Sequence, residues 1–524
     1  MRADGEILLG KLGSEHLMLG GNQHAALYAP TRSGKGISCV VPNALTWPYS
    51  TVILDMKRET WRASSGWRAH ALGQPTYLFD PLSPDGRTHR FNPLSSVDRT
   101  APDRFDQIQR IGQAVFPNSA GNAKFWDDAA RQAFNSVACF VAETPAIPFN
   151  MAQVMRLFTA SWASDYLRKM IAEARKEEHP YSLAVVDGIS DYLGNGSSER
   201  AQKLSDEIRK SVSTRLALWL NPRIAAATEV SDFNIGRLRY EPFSIYVAVN
   251  PGDIERLQPL LALFFQSLIQ TNTRMHPDED PDYRHPVLVI LDEFASLGRL
   301  SVLAASFAFI AGYGVRFLLV CQSPSQLRDP DLYGPDMAAT ILDNTGVELC
   351  FGTKNVGLAE ELSRRVGFNT VDSVTRNRPR FWGAWQWRKQ SVAAHPHSRA
   401  QLLPQEILRM RADQELVFRA GMTPILANRL RWYDDPVLSQ RAMSPPEVPA
   451  IEITTPLDDG EMTVAPPFVR PAGGVVETLK TPFIPTPSGQ AARRAAVKDA
   501  EGRRGVGLIL DGREHAATPN GVMK

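Results

Sequence analysis

Long hydrophobic runs are missing from these 524 residues. No stretch reaches the ~18–20 consecutive apolar residues that span a bilayer. The nearest, Leu257–Ile269, is interrupted by Gln258, Pro259 and Gln266. The N-terminus has the layout of neither a signal peptide nor an anchor. Cysteine is scarce: Cys39, Cys139, Cys321 and Cys350 stand far apart, with no spacing that suits a metal or a disulfide framework. Three of them sit inside apolar runs, which predicts buried thiols in a reducing cytoplasm. An excess of either charge is absent too. With 58 basic and 56 acidic residues the net charge is +2, so any nucleic-acid contact must come from a local patch. What remains is the composition of a soluble globular chain, long enough for two or three domains.

The stretch that organises the rest is Ala29–Gly36, APTRSGKG. The apolar run His24–Tyr28 enters it, and Ile37–Leu45 can continue it as a helix. Strand, glycine-bearing turn and helix with a lysine at the turn's end make a phosphate cradle. Backbone N–H groups point at one anion, and Lys35 adds a point charge on the β- and γ-phosphates. Thr31, Arg32, Ser33, Gly34, Lys35, Gly36 and Ile37 are the nucleotide-binding candidates. Against the pattern G-x-x-x-x-G-K-[ST], Ala29 replaces the first glycine, and Gly36 stands where a hydroxyl would reach Mg²⁺. An ordinary strand-to-helix turn could carry the same eight residues, so the downstream sequence decides.

The first hundred residues alternate strand and helix. Thr51–Asp55 and Thr76–Asp80 are short apolar runs ending in aspartate, with a helix expected over Thr60–Leu72 between them. From about Arg104 the period becomes helical. Phe105, Ile108, Ile111 and Val115 share one face. Trp126, Ala130, Phe134, Val137 and Val141 repeat the spacing, as do Tyr166, Leu167, Met170 and Ala174 after a Ser164 N-cap. No strand is expected up to about Ser231. Strands resume at Phe243–Asn250, Val287–Leu291, Phe317–Gln322, Gly346–Gly352, Glu415–Ala420 and Ala427–Tyr433, with a helix over Ile254–Thr271. The fold class is therefore α/β, a parallel-rich sheet interrupted by an all-α domain. Residues 1–103 and 232–440 read as the two parts of the nucleotide-binding domain and 104–231 as the all-α domain. The proline-rich stretch 441–524 reads as a mostly disordered tail, with a short helix near Gln490–Glu501.

Val287–Leu291 leads into two adjacent carboxylates. In ATP-hydrolysing sheets Asp292 would hold Mg²⁺ through water and Glu293 would polarise the attacking water. A strand followed by an acidic first turn of helix has the same local pattern, but the lysine turn and the acidic pair support each other. Gln322, at the end of another apolar run, either senses the γ-phosphate or caps Ser323–Leu327. Asp55, beside the phosphate turn, either assists the metal or caps a helix. The segment Arg376–Gln390 mixes Arg376, Arg378, Arg380, Arg388 and Lys389 with Phe381, Trp382, Trp385 and Trp387. Such a mix suits single-stranded DNA, through stacking and phosphate pairing. It suits a protein-docking hairpin, or a loop packed on the domain, equally well.

Four motifs carry a family resemblance: PTRSGKG at 30–36, FDPLSPDGRTHRFNPL at 79–94, LDEFASLGRL at 291–300 and AGYGVRFLLVCQSPSQL at 311–327. Over roughly residues 5–435 the chain resembles the TraG-type coupling proteins of type IV secretion and bacterial conjugation. The resemblance implies a RecA-like P-loop ATPase domain interrupted by an all-α domain, working with ATP and Mg²⁺ as a homohexameric ring. The partners it implies are single-stranded DNA with its relaxase, effector proteins, the secretion channel and its other ATPases. The location it implies is the cytoplasmic face of the bacterial inner membrane. By motif, Lys35 matches the phosphate lysine, Asp292 the Mg²⁺ acid, Glu293 the catalytic acid and Gln322 the sensor. Gly36 is shared by the PTRSGKG branch, which leaves the metal's protein ligand open; Ser38 is one hydroxyl to consider.

Two departures from the family pattern stand out. Members ordinarily carry two transmembrane helices before the phosphate loop, whereas 28 residues precede Ala29 here. Either the membrane part has been removed or the member is unanchored. Some relatives also carry an arginine shortly before the sensor strand that reaches a neighbour's ATP, and the matching position is Ala311. Arg316 and Arg299 are the substitutes, each equally readable as a surface arginine. The function expected is a motor ATPase that couples substrates to a type IV secretion channel. The alternative is a nucleotide-binding substrate receptor with little hydrolysis of its own; a P-loop kinase is disfavoured by the Asp292–Glu293 pair.

Overall fold

The run Val287–Leu291 can expose neither face, and it lies buried within a large sheet. A computed structural model describes residues 5–117, 123–176, 181–194, 199–376 and 392–453. The strands are β1 (Ile7–Leu12), β2 (Glu15–Leu19), β3 (His24–Tyr28), β4 (Ser50–Leu54), β5 (Thr76–Phe79), β6 (Ser244–Val247) and β7 (Val287–Leu291). They continue as β8 (Val315–Cys321), β9 (Thr345–Phe351), β10 (Phe368–Arg376), β11 (Val392–Ala400), β12 (Gln414–Arg419) and β13 (Ile425–Asn428). Across the main sheet the order is β2-β1-β13-β12-β9-β3-β8-β7-β4-β6-β5, while β10 and β11 pair as a separate antiparallel hairpin. From β9 to β5 the strands run parallel. Beyond β9, the strands β12, β13, β1 and β2 are antiparallel.

Alternation along each strand divides the core in two. Val52, Leu54, Val289 and Leu291 face one side of the sheet; Ile53, Leu288 and Ile290 face the other. Each fully buried aliphatic side chain stabilises the fold by roughly 1.5–3 kcal/mol, so both faces must be covered. The second face is covered by the segment after the phosphate turn, with Cys39, Val40 and Ala44 buried against it. The first face is shared with the helix Ile254–Asn272 and continues into the helical domain.

That domain follows the helical spacing read from the sequence. Its helices are Arg104–Val115, Ala123–Glu143, Met151–Thr159, Ala163–Ala174, Leu183–Leu193, Glu199–Arg215 and Pro222–Ala227. Phe134, Val137, Phe140 and Val141 of the long helix are buried at its centre. Ser164 lies inside its helix rather than capping it; the residue at the cap is Trp162. The domain leaves after β5 and returns before β6, two paired neighbours. Its two ends are tied: Phe91 N–H donates to Ala227 O at 3.0 Å, and Asp232 N–H donates to Arg90 O at 3.0 Å.

The expectation of a disordered tail from residue 441 is corrected at its start. Helix Pro436–Arg441 ends with the Arg441 guanidinium over Trp67, 4.8 Å from the ring centre, and donating to Leu45 O at 2.9 Å. The carbonyls of Met443 and Ser444 pass so near Gly66 that a Cβ there would overlap them. Thr88 N–H donates to Pro449 O and Ile451 N–H to Gly86 O, both at 3.0 Å. Val448 is buried. Backbone hydrogen bonds and one apolar anchor hold this strap, and neither registers in an apolar count. Residues 454–524, with the helix expected near Gln490–Glu501, lie outside the described residues. All four cysteines are free and buried. Among the described residues no helix is long and apolar enough to cross a membrane.

Candidate nucleotide-binding site

β3 ends at Tyr28 and the chain turns at once. Ala29 N–H donates to Cys321 O at 2.9 Å, tying the start of the turn to the end of β8. Arg32 and Gly34 take positive φ, 61° and 85°, which fold the backbone back on itself. Nothing lies within 4 Å of a Cβ added at Gly34, so the dihedral angle rather than crowding calls for glycine. The next helix opens with a wide turn, Val41 N–H reaching Gly36 O five residues back, before Val41–Thr46 continues it. Gly36 likewise has open space around a notional Cβ. A serine would fit there, so packing does not explain its glycine.

Lys35 reaches from this turn to the end of β7. Its Nζ pairs with Glu293 and stands 3.6 Å from Asp292 Oδ1. Burial raises the Asp292 carboxyl above the ordinary range; Lys35 opposes that and Glu293 adds to it. Glu293 itself holds a left-handed backbone, φ 57°, a conformation that costs a non-glycine residue of order 1–3 kcal/mol and that clusters at functional sites. Gln322, just past β8, lines the same cleft. The cap of the adjoining short helix is Ser323, whose Oγ accepts from Ser325 N–H. The capping role is thus filled by Ser323 and not by Gln322.

The cleft has a volume of about 1290 Å³ and brings together Arg32, Gly34, Lys35, Gly36, Ile37, Asp292, Glu293 and Gln322. Thr31 and Ser33 belong to the turn but do not line it, and neither does Ser38. Asp55 lines it while capping the next helix, its Oδ2 accepting from Trp61 N–H at 2.7 Å. Burial lifts the Asp55 carboxyl to about 6, against the N–H groups it accepts.

Arg316 cannot serve as an arginine finger. It is 1% exposed, and its guanidinium donates to Gly5 O at 2.6 Å, Gln23 O at 3.0 Å and Leu19 O at 3.2 Å. It binds the N-terminal segment to the sheet. Arg299 is exposed on the loop after β7. Arg378, Arg380, Trp385, Trp387 and Arg388 lie outside the described residues, in the segment joining β10 to β11. Sequence reasoning missed Arg429 and Trp432, which reach the phosphate turn from the far end of the chain. No local motif marks either.

A phosphate-type turn after β3 and an acidic pair after β7, with β8 between them in a parallel sheet, define a RecA-like P-loop fold. The chain belongs to the type IV secretory system conjugative DNA transfer family, whose profile matches residues 3–453. It is 28% identical over 435 residues to VirD4 of Agrobacterium fabrum, a match covering 81% of this chain and 60% of that one. It is 28% identical over 463 residues to the conjugal transfer protein TraG of Escherichia coli, covering 82% and 70%. The chain thus spans 60% of the length of VirD4. The bacterial conjugative coupling protein TrwB shares the fold, with a TM-score of 0.56 at 17% identity over 78% of this chain and 85% of that one. TrwB has also been solved with a non-hydrolysable ATP analogue, which matches with a TM-score of 0.56 at 17% identity over 83% and 89%. A further TrwB structure holds ADP and Mg²⁺.

Proposed function

We propose that this chain is an ATP-driven coupling protein that recruits DNA–relaxase complexes or effector proteins and feeds them to a type IV secretion channel. The observation that carries the reading is the convergence of Lys35, Asp292, Glu293 and Gln322 on one cleft of a family member. Asp292 Oδ1, in the cleft lining, is buried without a hydrogen bond among the described residues, as suits a site that takes a cation. Mg²⁺ fits this donor set, because it needs only one or two carboxylates beside substrate phosphates and waters. When bound, ATP with Mg²⁺ supplies the phosphoanhydride whose cleavage drives transport.

The roles follow from position. Backbone N–H groups of the turn hold the phosphates, and Lys35 offsets charge on the β- and γ-oxygens. Asp292 would hold the metal. Glu293 accepts a proton from the attacking water, and Gln322 orients that water or the γ-phosphate. Arg299 is the arginine left to act on a neighbour's nucleotide in a homohexamer. The Arg/Trp segment joining β10 to β11 supplies a contact for single-stranded DNA or a protein partner. The work takes place at the cytoplasmic face of the inner membrane, where the channel and its other ATPases assemble. A receptor that binds nucleotide and hydrolyses little is the second reading, favoured by the burial of Arg316.

ATP turnover, measured with and without single-stranded DNA and the secretion partners, separates the two. The motor reading expects DNA-stimulated hydrolysis, lost with nucleotide binding in Lys35→Ala. Glu293→Gln should bind ATP yet lose turnover by about 10²–10⁴-fold, since an amide accepts no proton. Turnover within about threefold of the parent, roughly 0.6 kcal/mol of barrier, would reject the role of Glu293. A parent that binds ATP and never hydrolyses it would favour the receptor.

A further inference from the structure

The cleft is larger than the phosphates need. At about 1290 Å³ it exceeds the ~300–1,000 Å³ of most small-molecule sites. One end is committed to the γ-phosphate by Asp292, Glu293 and Gln322. The rest of a nucleotide must leave the turn past its last amides, at Gly36 and Ile37. There the lining changes character. Ile37 and Val41 of the first helix, Arg62 and Ala63 of helix Glu59–Gly66, and Trp432 and Met443 from the C-terminal end of the chain all line the cleft.

Three observations make this part of the cleft a built wall. The backbone N–H of Trp432 donates to Ile37 O at 3.4 Å, so the chain at Trp432 is held beside the last residue of the phosphate amides. Trp432 also packs with Val41, Ala63 and Trp67 in a small apolar cluster. The strap then crosses Gly66 so closely that its backbone admits no Cβ there, which sets Met443 beside the helix Glu59–Gly66. Ile37 and Met443 nonetheless remain 36% and 39% exposed, two large apolar side chains left open among the residues that line the cleft. Flat heteroaromatic rings are the ligands that fill such a slot: apolar faces meet Ile37, Met443 and the indole, while ring-edge acceptors meet a guanidinium.

We infer that Trp432 and Met443, with Ile37, Val41, Ala63 and Arg62, form the nucleobase slot of this protein. The C-terminal strap then determines how strongly the base end of the nucleotide is held. The inference rests on the ATP reading above.

The test compares binding of Mg²⁺–ATP with that of Mg²⁺–tripolyphosphate, which has the phosphates and no base, to the full chain and its variants. Trp432→Ala should weaken ATP about tenfold, the factor that about 1.4 kcal/mol of stacking makes, and leave tripolyphosphate within about twofold. Trp432→Phe should recover most of that loss. Met443→Ala, at an exposed position that leaves the fold intact, should weaken ATP about threefold and spare tripolyphosphate; it decides the matter if Trp432→Ala does not fold. Equal losses for both ligands would mean that the strap only shapes the phosphate turn, and would overturn the slot. Unchanged ATP affinity in Trp432→Phe and Met443→Ala together with Trp432→Ala would overturn it as well. A parent that binds neither ligand would overturn the ATP reading itself, and the slot with it.

Discussion

Arg429 Nη1 donates to the carbonyl of Ser33 at 2.8 Å, across 396 residues of chain. Its Nε donates to Gln414 O at 2.9 Å, and the guanidinium lies over Phe351, 3.6 Å from the ring centre. The phosphate turn, with left-handed backbone at Arg32 and Gly34, is therefore braced by the antiparallel side of the sheet.

Removing that brace should loosen the turn. Arg429→Ala forfeits a charge-assisted hydrogen bond of about 1.5–3 kcal/mol, so phosphate affinity should fall by tenfold or more. ATP and tripolyphosphate should weaken alike, because the whole loss is at the phosphate end. Arg429→Lys should restore little, since an ammonium cannot serve two carbonyls and a ring face at once. A folded Arg429→Ala protein with parental affinity would show that the turn keeps its shape unaided.

Beside Arg429, Glu415 is 1% exposed and its Oε1 has no hydrogen bond among the described residues. Burial raises its carboxyl from an ordinary 4.5 to about 8, although the Arg429 charge pulls it down. A raised carboxyl means that the folded state holds the proton more tightly than the unfolded state. Stability from this residue is therefore complete below pH 4.5 and declines as pH rises towards about 8. Glu415→Gln cannot titrate. The Tm difference between this variant and the parent should shift in the variant's favour from pH 4.5 upward and level off above about 8. A difference independent of pH would place the proton elsewhere.

Truncation should distinguish the strap from the residues beyond it. A chain ending at residue 453 keeps every described contact, and its Tm should match the parent. A chain ending at Arg441 loses the anchor of Val448 and the hydrogen bonds to Thr88 and Gly86. Burial of one valine alone is worth about 1.5–3 kcal/mol, enough to lower Tm measurably. Equal melting of the two truncations would remove the strap from the folded core.

If single-stranded DNA is cargo, the Arg/Trp segment between β10 and β11 should bind it in two separable ways. Replacing Arg378, Arg380, Arg388 and Lys389 with alanine should flatten the salt dependence, by about 0.7 in slope for each lost phosphate contact. Trp385→Ala with Trp387→Ala should cost about 1–3 kcal/mol per stacked base and leave the slope unchanged. Parental affinity and slope in both variants would assign the segment to protein docking.

The site was legible where chemistry is local. Lys35 closes the turn that follows the apolar run of β3, the Asp292–Glu293 pair follows that of β7, and β7 occupies the predicted Val287–Leu291. Residues whose partners are backbone groups far away were not. Arg316 looks like a surface arginine in sequence because its three acceptors are carbonyls of Gly5, Leu19 and Gln23, which carry no side-chain signal. The strands β1 and β2 escaped for a related reason. They sit on the antiparallel side of the sheet, where hairpin pairing needs neither a long apolar run nor a helical crossover.

The tie between Phe91 and Ala227, with Asp232 against Arg90, has a consequence for how the two domains can change. Seen from the sheet, everything from Asn92 to Glu229 is one closed loop, entered and left at adjacent hydrogen bonds. The entropy of closing such a loop grows only with the logarithm of its length, so a shorter, longer or differently surfaced helical domain alters that term little. The sheet fixes where the domain is rooted and places few demands on its outer face. Substitutions can accumulate there while the arrangement of β3, β8 and β7 stays as it is.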